Sequence, residues 1–89
     1  MKITKRVVEY YTFYCHGCKH EHTYSVFLDG SQWIFNGNME SPSFTPSLLN
    51  RMIDKDGKTL SVCHLFVTDG QIIYCGDCTH ELSGKSIPL

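Results

Sequence analysis

The sequence lacks long apolar runs, helical periodicity and an excess of charge of either sign, and each absence removes a class of protein. No stretch approaches the roughly 20 apolar residues that a membrane-spanning helix needs. The basic start, Met1-Lys2-Ile3-Thr4-Lys5-Arg6, passes into Val7-Val8-Glu9-Tyr10-Tyr11-Thr12 without an apolar signal core or a small-residue cleavage site. Secretion is therefore not expected, and a cytoplasmic location is. Eight Lys and Arg stand against nine Asp and Glu, a net charge of −1 with the signs mixed along the chain. Such a balance disfavours nucleic acid as a partner, since phosphate binding needs a basic face, and leaves only a local patch at Lys2, Lys5, Arg6 and Lys19. Low-complexity tracts and linkers are also missing, so residues 1–89 are expected to form one domain.

What the chain has is cysteine. A domain of 89 residues buries too little apolar surface to be comfortable on its core alone, and the five cysteines at Cys15, Cys18, Cys63, Cys75 and Cys78 offer a staple. An odd count, close Cys-x-x-Cys pairs and the absence of a secretory signal favour a metal, zinc, over disulfides.

Turn signals recur at Asp29-Gly30, Asn36-Gly37, Asp56-Gly57, Asp69-Gly70, Gly76-Asp77 and Ser83-Gly84. Between them, residues 7–14, 22–28, 32–36, 48–53, 59–67 and 71–74 are rich in β-branched and aromatic side chains and alternate with period two. The expected fold is all-β: a single small zinc-stabilised antiparallel sheet, zinc-ribbon-like, with few or no helices. From Thr59 onward, Leu60, Val62, His64 and Phe66 fall on one face and Ser61, Cys63, Leu65 and Val67 on the other, the pattern of a central strand. Residues 40–47 contain Pro42 and Pro46, which lack ladder donors, and are expected to form an ordered loop or an edge. Trp33, Phe35, Tyr10, Tyr11 and Phe13 are expected in the core before any role in stacking on bases.

Cys15-His16-Gly17-Cys18 and Cys75-Gly76-Asp77-Cys78 each follow a predicted strand. Two intervening residues, one a glycine, let both thiolates of such a knuckle turn toward one ion, and two knuckles make a closed, structural site. A redox dithiol would favour a helix N-terminus, which neither pair has. Cys63-His64 and Cys78-Thr79-His80 complicate the set, because Cys63, His64 or His80 can replace one thiolate. His16, His20 and His22 are expected to be solvated residues flanking the knuckle, although His22 shares a face with Tyr24, Val26 and Leu28. No catalytic residue is expected. Ser41, Ser43 and Ser47 lack the strand-turn-helix elbow of a serine nucleophile and are expected to make loop hydrogen bonds. Ser83-Gly84-Lys85-Ser86 lacks the first glycine of a phosphate loop.

Four segments carry a resemblance: Trp33-Ile34-Phe35-Asn36-Gly37; Pro42-Ser43-Phe44-Thr45-Pro46-Ser47; Cys63-His64-Leu65-Phe66-Val67-Thr68-Asp69-Gly70; and Gly76-Asp77-Cys78-Thr79-His80-Glu81-Leu82-Ser83-Gly84. From about Cys15 onward the chain resembles a family of small proteins common in bacteriophage genomes, of unassigned role and often labelled ammonia monooxygenase. A chain without a membrane-length apolar run does not match a membrane-bound monooxygenase, so the label is set aside. The family pattern falls on Cys15, Cys18, His22, Cys63, His64, Cys78 and His80, and Cys75 departs from it. The resemblance therefore points to Cys15, Cys18 and Cys78 as metal ligands, with the fourth from Cys75, Cys63, His80 or His64. It also implies a phage or prophage protein in a bacterial host cytoplasm. The expected function is a zinc-stabilised module binding a protein of host or phage and not an enzyme. The alternatives are a small zinc-dependent hydrolase and a nucleic-acid-binding zinc ribbon.

Overall fold

The computed structural model describes residue 3 and residues 5–89; Lys2, one member of the basic patch, lies outside them. The strands are β1 Val8–Cys15, β2 His20–Phe27, β3 Ile34–Phe35, β4 Phe44–Ile53, β5 Thr59–Thr68, β6 Gln71–Tyr74 and β7 Ser86–Pro88. No described residue is helical. The all-β class expected from the alternation holds, and the strands divide into two antiparallel sheets rather than one: the hairpin β1–β2, and a five-stranded sheet in the order β3-β4-β5-β6-β7.

The division follows from side-chain chemistry. On the hairpin, Tyr11, Phe13 and Cys15 of β1 and His22, Tyr24 and Val26 of β2 alternate with exposed residues and face inward. An apolar face of this kind must be covered, so the hairpin lies over the larger sheet instead of extending it. Opposite it, Phe44, Leu48, Cys63, Leu65, Val67, Ile72 and Tyr74 complete the core. Tyr24 stacks on Phe44 with ring centroids 4.1 Å apart, and Phe35 stacks on the same ring at 4.8 Å. Each such buried ring contributes about 1.5–3 kcal/mol through removal from water. Among the described residues no backbone hydrogen bond joins the hairpin to the larger sheet. Side chains alone hold the two layers together.

Two local features place the functional groups. The Asp69-Gly70 pair turns β5 into β6 with positive φ at both residues, 49° and 77°, as a two-residue hairpin turn of the primed type requires. The second feature corrects an expectation: Phe44, Thr45, Pro46 and Ser47 belong to β4, an interior strand, rather than to a loop or an edge. The register explains how proline is accommodated. Phe44 pairs with Val67 and Leu48 with Leu65, so the three residues between them bulge against Phe66 alone and Pro46 owes no ladder hydrogen bond. The bulge also re-aims Ser47 beside its buried neighbour Leu48.

Candidate functional site

Successive residues of a strand point to opposite faces, and Cys63 and His64 in the middle of β5 use both. Cys63 is buried between the layers, whereas His64 faces outward, across from Leu49. Ser47 emerges from the β4 bulge on that outer face, with its Oγ 3.0 Å from His64 Nε2. Asp77 approaches from the other side, both carboxylate oxygens lying 3.2 Å from His64 Nδ1. A carboxylate only accepts hydrogen bonds, so Nδ1 carries the imidazole proton and Nε2 accepts from the Ser47 hydroxyl. The result is a Ser-His-Asp relay in which a hydroxyl, a base and an orienting carboxylate stand in order. The Asp77 side chain is 57% exposed, against 28% for His64, so their attraction is screened and serves to align the ring more than to stabilise the fold.

The turn that carries Asp77 is stitched to β5 beside His64. The Cys75 amide donates to the His64 carbonyl at 2.8 Å, and the Thr79 amide donates to the Val62 carbonyl at 2.9 Å. Cys78 does the same with sulfur: its thiol donates to the His64 carbonyl at 3.1 Å and accepts the His64 amide at 3.3 Å. On the opposite side, the Ser47 carbonyl accepts the Trp33 indole N–H at 3.2 Å, fixing the backbone of the bulge.

Under this relay, on the inner face, one donor atom from each of Cys15, Cys18, His22 and Cys63 lies within 4.8 Å of the others, a group that can hold a metal ion. Cys15 ends β1, and the Cys18 amide donates to its Sγ at 3.3 Å, the amide-to-sulfur contact that a knuckle turn provides. Lys19 takes a left-handed φ of 61° as the chain turns into β2. His22 is 5% exposed, its Nδ1 lies 3.1 Å from the Asn50 side-chain amide, and its buried Nε2 has no hydrogen-bond partner. A buried nitrogen without a partner is unfavourable by about 1–3 kcal/mol unless something absent from the polypeptide satisfies it. Burial, then His20 and His80, hold His22 below the ordinary imidazole range, which keeps the neutral, ligating form.

The sulfurs respond to the same setting. Burial would raise Cys15, but hydrogen bonds from the Tyr74 hydroxyl, at 3.3 Å, and from the Cys18 amide carry it below its ordinary value. Burial pushes the Cys18 and Cys63 thiols up. Several buried thiolates so close together need a cation among them.

Two further groups of donors exist among the described residues: Cys63, Cys78 and His80, and His64, Cys75 and Asp77. The structure thus brings Cys15 and Cys18 together with Cys63 and His22, and Cys63 also lies within reach of Cys78 and His80. His80 Nε2 lies 3.4 Å from Cys63 Sγ, and its Nδ1 accepts the Leu82 amide at 3.2 Å. With Nδ1 accepting, Nε2 bears the proton and donates it to the sulfur. His80 thus stands beside Cys63 and Cys78 as a further donor next to the cluster. Its ring lies against Gly17, where a Cβ would collide with it. Of the three histidines expected in solvent, His16 and His20 are exposed and His22 is not, because alternation along β2 turns it inward with Tyr24 and Val26. That alternation was the available signal. Ser47 had none, since its position depends on the bulge.

Residues 1–75 match the family described as bacterial ubiquitination-like system serine protease (BubE). The chain belongs to the BubE family. Neither a phage family nor the ammonia monooxygenase label finds support in that match. Ser47 and His64 lie within the matched residues and Asp77 lies two positions beyond them. No curated protein and no solved structure matches the chain.

Proposed function

We propose that the protein is a serine peptidase of a bacterial ubiquitination-like system, with Ser47 as nucleophile, His64 as general base and acid, and Asp77 as the residue that orients His64. The observation that carries this reading is the pair of contacts on opposite nitrogens of one ring: Ser47 Oγ at 3.0 Å from Nε2 and Asp77 at 3.2 Å from Nδ1. The chemistry follows the order of the groups. Ser47 Oγ attacks the carbonyl carbon of a scissile amide while its proton passes to His64 Nε2, and the Asp77 carboxylate stabilises the imidazolium. Nε2 then protonates the departing amine, and water hydrolyses the acyl-enzyme by the same route. The protein partner expected from the sequence becomes, on this reading, a protein substrate from such a system. Leu49, Phe66 and Ile73 expose apolar side chains on the same outer face, next to His64, and supply contact area for it.

The inner cluster supports a second assignment, a structural zinc ion held by Cys15, Cys18, Cys63 and His22. Three thiolates and one imidazole leave no position for water, so this ion takes no part in hydrolysis. The unpartnered Nε2 of a buried His22 is the observation that favours it. With zinc on Nε2, Nδ1 carries a proton, and the Asn50 amide, turned by half a revolution, offers its carbonyl as acceptor.

The test of the peptidase reading is hydrolysis of a precursor or conjugate of a ubiquitin-like protein from such a system. The Ser47→Ala and His64→Ala chains are expected to lose activity by roughly 10³-fold or more while keeping their metal. Unchanged hydrolysis in the folded Ser47→Ala chain would remove the assignment.

A further inference from the structure

We propose that a second thiophilic divalent cation, zinc itself, binds on the outer face across His64, Cys75 and Asp77 and switches the nucleophile off. One donor atom of each of the three lies within 4.8 Å of the others. The His64 nitrogen facing Asp77 is Nδ1, 3.2 Å from both carboxylate oxygens. Tetrahedral zinc with bonds of roughly 2.0–2.2 Å to nitrogen and oxygen holds such donors about 3.4 Å apart, so an ion fits between His64 and Asp77, and Cys75 closes on it from within 4.8 Å. The Cys75 amide donates to the His64 carbonyl and so anchors the backbone that carries the third donor. Oxygen, nitrogen and sulfur together make a donor set suited to zinc rather than to magnesium or calcium.

This site differs from the buried cluster in three respects. It has three side-chain donors instead of four, Asp77 is more than half exposed, and water completes the shell. Binding is therefore weaker and exchangeable. Its consequence, which rests on the peptidase reading, concerns one proton. An ion on Nδ1 excludes hydrogen from that nitrogen, so the single proton of the neutral ring moves to Nε2, and the Cys75 thiol proton leaves to solvent. Nε2–H then faces Ser47 and cannot accept its proton. The ion also takes the carboxylate that would stabilise an imidazolium. Hydrolysis stops without any change in the position of Ser47.

Cys75 is the residue to vary, because it belongs to neither the relay nor the buried cluster. The experiment starts from protein carrying one zinc per chain and titrates free zinc, following hydrolysis and, by native mass spectrometry, the number of ions bound. The parent chain is expected to take up a second zinc as hydrolysis falls. Cys75→Ser should keep its basal hydrolysis and its first ion, and need about tenfold or more higher zinc for both effects, having lost one of three ligands. Equal sensitivity of the two chains, or inhibition with one ion still bound, would overturn the proposal. If Ser47→Ala shows that hydrolysis does not depend on Ser47, the peptidase reading fails. The second-ion count in parent and Cys75→Ser chains then still decides the metal site.

Discussion

The two Cys-x-x-Cys turns have the same spacing and opposite uses. In the turn at Cys15 and Cys18, both sulfurs point into the core and join His22 and Cys63. In the turn at Cys75 and Cys78, the two sulfurs separate: Cys78 is buried against the backbone of His64, Cys75 is only partly covered, and Asp77 between them reaches the His64 ring. What differs is the strand each turn meets. The first hangs from a hairpin that, among the described residues, shares no backbone hydrogen bond with the larger sheet, so its sulfurs are free to face across the gap. The second is stitched to β5 by the Cys75 and Thr79 amides, which turns its two sulfurs toward different neighbours. Spacing alone thus brings two cysteines near each other, and the packing decides what they bind.

The difference can be broken by substitution, beginning with the largest effect. Cys15→Ser or Cys63→Ala should abolish zinc binding and unfold the domain, as chelation of the parent should, because apparent zinc affinities of structural sites reach about 10–16 kcal/mol while a core this small supplies roughly 3–5. Circular dichroism with and without chelator reads this, and Cys75→Ser should leave both the fold and the first ion intact. A Cys75→Ser chain that unfolds like Cys15→Ser would erase the distinction between the turns.

Asp77→Asn comes next. It should lower kcat by about 10²-fold or more and leave KM and the buried ion nearly unchanged, since an amide favours the wrong imidazole tautomer. Steady-state kinetics beside a metal assay separates that outcome from a general loss of structure. Gly17→Ala forces the His80 ring away from the first turn and should destabilise the protein by about 1–3 kcal/mol, measurable by denaturant titration. The smallest effect is expected at Asn50→Leu, which removes the partner of His22 Nδ1 and should weaken zinc about 10–100-fold in a chelator competition while activity of the loaded chain is retained.

Much of this architecture was legible along the chain. Alternation located six of the seven strands and missed β7, the Asp69-Gly70 pair announced its hairpin, and the two faces of β5 already set Cys63 apart from His64. His22 was readable in principle from its shared face with Tyr24 and Val26. The relay was not, for a physical reason. Ser47 lies 17 residues from His64, and Asp77 lies 13 from it, so no local motif joins them. Pro46 argued against an interior strand, and only the bulge, set by pairing of Phe44 and Leu48 with β5, both admits the proline and turns Ser47 outward. Asp77 gains its role only because the second turn lies against β5 beside His64. Relays of this kind are defined by geometry and role, not by position in sequence.

Covalent labelling decides whether Ser47 is a nucleophile activated by His64. Zinc-loaded protein treated with a fluorophosphonate probe should gain one adduct, mapped to Ser47 by peptide mass spectrometry, and the Ser47→Ala and His64→Ala chains should gain none. Labelling at another residue, or undiminished labelling in a folded His64→Ala chain, would contradict the account.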